Sequence, residues 1–300
     1  MTDSKVSPAR GLTAQQIQQF RDDGYLIVRD LLPNAALQPL IDELEKKVDE
    51  AVNEAVRREL LDAADTFATA PFTTRLARAT AACTDHNWLW QQVHGKQHKT
   101  AGMFTLRTCP ALLNVVESLI GPEIFAHPQT VLRAKLPDHQ ETVVPWHQDL
   151  AYLKPEEAGD TLVVNFWIPL VDATAANGCM QVIRGSHRAG LLPHDHRESI
   201  YKGVAEDHLP EGDVVTCEVD VGDVLITMER VFHRSIPNTT DTVRWSVDTR
   251  YSCIGLPTGR EQVPGFVARS RATPECVAGS HHDWIQAFVE AGLNPTEKGR

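Results

Sequence analysis

Two residues of metal-binding type, His147 and Asp149, stand two positions apart in "VVPWHQDLAYL", a mainly apolar and aromatic stretch. On a β-strand residues i and i+2 share a face, so the imidazole and the carboxylate would stand side by side. Such a pair is either part of a metal site or an ion pair at a strand end. A third ligand separates the two readings. The best candidate is His233, far downstream in "ERVFHRSIPN". Two histidines and one carboxylate with open positions make the facial triad of non-haem Fe(II) oxygenases. The open positions let a bidentate co-substrate and O2 bind together.

A second group lies beyond His233. "FHRSIPNTTDTVRWSVDTRY" reads as strand, turn and strand, and the "PNTTD" turn returns Arg244 to the neighbourhood of His233. On the returning strand Arg244, Ser246 and Asp248 share one face, and Val243, Trp245 and Val247 the other. An inward arginine needs an anion, because an unpaired buried charge is very costly. A dicarboxylate co-substrate would meet that need, since guanidinium grips carboxylate with two parallel bonds. The alternative uses of Arg244 are an exposed strand position or a salt bridge to Asp248.

These side chains need a scaffold, and the 300 residues, 42% hydrophobic and 23% charged, are ample for a soluble core. The first third reads as helical. Thr13 and Gln16 fit a capping box before a helix that Gly24 closes. Leu37, Leu40, Ile41, Leu44 and Val48 follow the spacing of an amphipathic helix, and "PALLNVVESLIG" predicts another. "YLIV" at 25–28 is a short strand. After about residue 125, β-branched runs separated by turn signals predict strands in "TVLRAKLP", "TLVVNFWIPLVDA", "CMQVIRGSH", "DVVTCEVDVGDVLITM" and "TVRWSVDTRYSC". A helix in "HHDWIQAFVEAG" closes the chain. The pattern predicts an antiparallel β core with helices on an outer face. We expect one domain over 1–300: a mainly helical part at 12–124, a β core carrying the metal site at 125–255, and an extension with a helix at 256–300.

The net charge of −11 argues against a nucleic-acid binder. Six scattered cysteines without a C-x-x-C pair suggest reduced, mostly buried thiols rather than a zinc site. "MTDSKVSPARG" lacks the apolar core of a signal peptide, and no apolar run is long enough for a membrane helix. The expectation is a cytoplasmic protein without a membrane or nucleic-acid partner; the oligomeric state is unknown from sequence.

"PWHQD", "NGCMQVIRGSH" (Asn177 to His187), "FHRS…R" and the early "FRDDGYLIVRDLL" together resemble the phytanoyl-CoA dioxygenase family of Fe(II)- and 2-oxoglutarate-dependent oxygenases. The resemblance runs from about residue 14 to 252. It implies a double-stranded β-helix, the cupin-like jelly-roll, flanked by helices. It implies His147, Asp149 and His233 as iron ligands and Arg244 as partner of the 2-oxoglutarate C5 carboxylate. Ser235 resembles a residue assisting that carboxylate, Trp167 one lining the co-substrate pocket, and Gln129 and Val131 lie on a strand bordering it. Lys99 corresponds to an upstream lysine, with different local spacing. Arg184 stands where many relatives have proline, with an expected effect on the turn alone.

The implied activity is oxidation of an unactivated C–H bond in a small organic substrate, with 2-oxoglutarate and O2 converted to succinate and CO2. Halogenating relatives lack the carboxylate ligand, so Asp149 favours hydroxylation, desaturation or ring closure. Two other classes stand beside this one: a zinc-dependent jelly-roll hydrolase or isomerase, and a non-catalytic sensor of metal and 2-oxoglutarate. Among the remaining histidines, His94 and His98 have helical zinc spacing but no third ligand, which predicts a solvated stretch. "HDH" at 194–196 reads as an exposed loop, and Tyr152 as facing substrate or packing structurally.

Overall fold

The computed structural model describes residues 11–196 and 201–296. Thr13 accepts a hydrogen bond from the Gln16 amide while the Gln16 side chain accepts from the Thr13 amide, and left-handed Gly24 ends α1 (Ala14–Asp23). Losing such a cap typically costs about 1 kcal/mol. In α2 (Asn34–Arg57) Leu37, Leu40, Leu44, Val48 and Val52 are buried, the stripe expected of a helix lying on a core. Three shorter helices, α3 (Phe72–Ala82), α4 (His86–Val93) and α5 (Ala101–Arg107), precede α6 (Pro110–Ile120), which starts on a proline whose missing N–H is harmless there. A single turn, α7 (Pro155–Ala158), and α8 (His281–Glu290) complete the helices.

The strands are β1 (Tyr25–Val28), β2 (Ile124–Ala126), β3 (Val131–Lys135), β4 (Val164–Pro169), β5 (Met180–Ile183), β6 (Val214–Cys217), β7 (Val224–Met228), β8 (His233–Ser235), β9 (Arg244–Cys253) and β10 (Phe266–Arg269). The larger sheet runs β1-β7-β4-β9-β2-β10, with β3 also on β9; the smaller is β6-β5-β8. All strand pairs are antiparallel. The fold is the double-stranded β-helix, and its larger sheet takes β1 and β10 from the two ends of the chain.

Strand β9 shows how the sheet separates core from site. Val243, Trp245 and Val247 point to the helical side and are buried in the main core. There Trp245 stacks on Phe72 with ring centroids 4.8 Å apart. The alternate residues Arg244, Asp248 and Arg250 face the cavity between the sheets. Period-two alternation thus puts apolar burial and chemistry on opposite faces of one strand.

The segment "HGKQHK" is not solvated. After α4 the chain turns inward, and Gly95 exchanges backbone hydrogen bonds of 3.0 and 2.9 Å with Leu132 on β3. That bridge carries His94 to the cavity wall, its ring 4.2 Å from that of Trp90. It also buries His98, whose Nε2 lies 2.5 Å from the Val93 carbonyl. Burial lowers the His98 pKa to about 4. Four of the six thiols are buried, as expected. Among the described residues no single helix is long and apolar enough to cross a membrane.

Candidate metal and co-substrate site

His147, Asp149 and His233 come together, each buried, with their ligand atoms all within 4.8 Å of one another. The local backbone is not the strand the spacing predicts. His147 makes one isolated bridge, its amide and carbonyl each 3.0 Å from those of His233. The ladder then stops, because the Gln148 amide donates to the His194 ring at 2.9 Å and the Leu150 amide to the Glu229 carbonyl at 2.9 Å. Asp149 opens a 3-10 turn over Asp149–Tyr152. The carboxylate therefore meets the histidines from a turn.

The atoms facing the common point are those a metal needs. His147 Nδ1 lies 2.8 Å from the Pro145 carbonyl and His233 Nδ1 3.0 Å from the Val231 carbonyl. Donation by each Nδ1–H leaves the Nε2 lone pairs free, the usual outer-shell device for orienting ligand histidines. Burial and the adjacent His233 keep His147 neutral, its pKa well below the usual imidazole value. Burial alone would raise the Asp149 carboxyl, but Arg250, His233 and His147 outweigh it and hold it below the usual carboxylate range. Arg250 Nη2 donates to Asp149 Oδ1 at 2.6 Å, leaving Oδ2 on the His233 side at 3.7 Å. Two imidazole nitrogens and one carboxylate oxygen suit Fe(II), and these three residues would hold it.

Gln148, between the first two ligands, is fully buried and tied on every polar atom. Its side-chain amide donates to the carbonyls of Gly190 and Arg230, both at 2.7 Å, and its oxygen accepts from the Leu192 amide at 2.9 Å. His194, expected in an exposed loop, is partly buried: its Nε2 accepts from Gln148 and its Nδ1 lies 2.7 Å from the Leu192 carbonyl. Asp195 and His196 are exposed as expected. Tyr152 packs edge-on against His147 with centroids 5.5 Å apart, and its hydroxyl donates to the Lys202 carbonyl at 3.0 Å.

The cavity beside the triad is lined by Arg244, Ser235 and Trp167, and also by Lys135, Asn165 and Arg133. Arg244, 2% exposed, donates to the Gly178 carbonyl (3.2 Å) and to Ser246 Oγ (2.6 Å), both neutral. Its guanidinium carbon lies 5.0 Å from the Trp167 ring centre. The alternative bridge from Arg244 to Asp248 does not form; Arg133 takes that carboxylate at 2.7 Å. Among the described residues no carboxylate lies within ion-pair distance of Arg244. Burial lowers its pKa to about 10, so it remains charged and suited to an anion. Asn165 is also buried in the wall, and neither polar atom of its amide has a partner among the described residues. A buried orphan amide is costly unless a ligand completes it. The residues fit a dicarboxylate bound beside a metal.

Gln129, Val131 and Lys99 are not part of this wall. Gln129 touches the site through its carbonyl, which accepts from Arg250 at 3.3 Å. Val131 pairs with Asp248 across the β3–β9 ladder. Lys99 turns away, its ammonium 4.3 Å from the Phe288 ring centre and donating to the Lys96 carbonyl at 3.0 Å. Lys135, Asn165 and Arg250 were not singled out from sequence. Each was reachable by parity: Lys135 from Val131, Asn165 from Trp167, and Arg250 from Asp248.

Gly178 packs against Lys135 at φ +89°, and a Cβ there would lie 2.4 Å from Lys135 Cε. Gly178→Ala is expected to destabilise by about 1–2 kcal/mol from backbone handedness alone and to weaken 2-oxoglutarate binding by displacing Lys135. Urea midpoints and calorimetric titration would check the two effects; unchanged values would refute the close fit.

A facial triad and an unmatched arginine within a double-stranded β-helix define a non-haem Fe(II)- and 2-oxoglutarate-dependent oxygenase. The model of the PhyH family, phytanoyl-CoA dioxygenase, matches residues 20–246, and the chain belongs to that family. Human peroxisomal phytanoyl-CoA dioxygenase is 25% identical over 252 residues, covering 80% of this chain and 68% of the relative. The 1-deoxypentalenic acid 11-beta-hydroxylase of Streptomyces arenae is 30% identical over 155 residues, covering 47% and 53% respectively. Among solved structures, the apo form of the non-haem monooxygenase ThoJ is similar with a TM-score of 0.56 and 26% identity, covering 92% of this chain and 93% of that one. Fe(II), 2-oxoglutarate and O2 are accordingly the cofactor and co-substrates of this enzyme.

Proposed function

We propose that the protein hydroxylates an unactivated C–H bond of a small organic molecule. The reaction balances as substrate, 2-oxoglutarate and O2 giving alcohol, succinate and CO2, with one oxygen atom entering the alcohol and the other succinate. Bound iron supplies the redox chemistry that couples O2 reduction to decarboxylation. The protein's own residues do the positioning. His147, Asp149 and His233 would hold the metal through two imidazole nitrogens and one carboxylate oxygen. Arg244 holds the far carboxylate, with Trp167 against its guanidinium and Ser235 on the same wall.

The observation that carries this reading is a complete triad sharing one cavity with a buried arginine that has no carboxylate partner among the described residues. A carboxylate ligand favours oxygen transfer over halogenation, since Asp149 would take the metal position that a halide needs. Names of relatives, a hydroxylase and a monooxygenase, support the same reaction class.

Succinate formation across a panel of small metabolites, with Fe(II) and ascorbate, tests the proposal. Succinate should require 2-oxoglutarate and O2 and rise with the true substrate, together with a product heavier by one oxygen atom. Turnover without 2-oxoglutarate or O2 would point instead to a zinc-type hydrolase. Tight co-substrate binding with background succinate on every candidate would favour a sensor.

A further inference from the structure

We propose that Lys135 is a second cationic anchor for the distal carboxylate of 2-oxoglutarate, acting with Arg244 and Ser235. The assignment rests on the co-substrate reading of the cavity and deepens it.

Lys135 ends β3 directly opposite Arg244 in the β3–β9 register, so their side chains leave adjacent strands on the same face. Both line the cavity, and they are 1% and 2% exposed. The Lys135 ammonium donates to the Thr142 carbonyl at 2.9 Å and to Ser235 Oγ at 3.0 Å. Both acceptors are neutral, and an ammonium has a third donor to give. Among the described residues no carboxylate lies within ion-pair distance of either cation. Two like charges side by side and out of water are unfavourable until an anion joins them. Burial, with Arg244 and Arg133 nearby, lowers the Lys135 pKa to about 6, so near neutral pH the ammonium form needs an adjoining carboxylate to hold it.

The surroundings are shaped for this side chain. Gly178 has no Cβ, leaving Lys135 Cε the space beside it, while its carbonyl accepts from Arg244. Ser235 Oγ accepts from both Lys135 and the Val144 amide at 3.1 Å, so its own hydroxyl proton is left to donate. A carboxylate placed between them has two oxygens and enough lone pairs for guanidinium, ammonium and hydroxyl together. A purely structural lysine would fasten Thr142 to β8 and leave co-substrate choice untouched.

The test compares 2-oxoglutarate with pyruvate, an α-keto acid lacking the distal carboxylate. Anaerobic titration calorimetry would be run on Fe(II)-loaded wild type, Lys135→Met and Lys135→Gln, with folding checked by near-UV circular dichroism. Losing one charge-assisted hydrogen bond predicts a Kd for 2-oxoglutarate raised at least about tenfold in either variant. Pyruvate and Fe(II) affinities should stay at wild-type values, and Lys135→Arg should recover part of the loss. The Gln variant can still contact Thr142 and Ser235, which guards against a folding failure of the Met variant. Unchanged 2-oxoglutarate affinity in a folded variant, or equal losses for both keto acids, would overturn the assignment of Lys135. A wild-type protein that fails to bind 2-oxoglutarate would overturn the co-substrate reading as well.

Discussion

Asp149→Ala is expected to end iron-dependent turnover and, independently, to destabilise the metal-free protein by about 3–5 kcal/mol, the usual cost of stranding one member of a buried ion pair. The second effect comes from Arg250. That arginine is 4% exposed and donates to Asp149 at 2.6 Å, and its Nε lacks a partner among the described residues. Without the carboxylate, its charge stays buried and uncompensated. The double variant Asp149→Ala, Arg250→Met should recover much of the stability and none of the turnover. His147→Ala strands no charge, so it should lose iron while remaining close to wild type in metal-free stability. Urea unfolding of the metal-free proteins and Fe(II) titration would separate these outcomes. An unchanged midpoint in Asp149→Ala would contradict the role given to Arg250.

Arg244→Met should show the opposite sign. Removing one partner of a buried charge pair with a ligand costs about 2–5 kcal/mol, a rise in the Kd for 2-oxoglutarate from roughly 30-fold to several thousandfold. Fe(II) affinity should hold, because Arg244 touches no ligand of the metal. The metal-free variant should be as stable as wild type or more so, because an unmatched buried cation gives way to an apolar side chain. Calorimetric binding and unfolding midpoints on the same samples would check both. A variant that unfolds more easily yet binds 2-oxoglutarate normally would show Arg244 to be structural.

How far the sequence could be read depended on periodicity. The capping box at Thr13, the stripe on α2 and the two faces of β9 are local patterns, and each has the predicted structure. The candidate ligands His147, Asp149 and His233 could be read because their types and order carry chemistry before any geometry is known. Asp149 nevertheless lies on a turn, since where a strand stops depends on distant groups such as His194 and Glu229 that claim its amides. The same limit hid the burial of His98, which follows from a backbone bridge between Gly95 and Leu132. Lys135, Asn165 and Arg250 were missed differently. Their alternation was available, but no motif directs attention to an isolated lysine or asparagine on an apolar strand. Their places in the cavity distinguish them: Arg250 on Asp149, Lys135 beside Arg244, and Asn165 with no partner among the described residues.

Gln148 has a practical consequence for exchanging parts between related enzymes. One side chain holds the carbonyls of Gly190 and Arg230 and the amide of Leu192, while its backbone holds His194. A segment around 190–194 transplanted from another enzyme would therefore arrive at the metal's own backbone. Unless it brings a carbonyl and an amide to the same places, it would misalign His147 and Asp149 even though every ligand is retained. Grafting this loop to change substrate preference calls for moving "HQD" and 190–194 together, as one cassette.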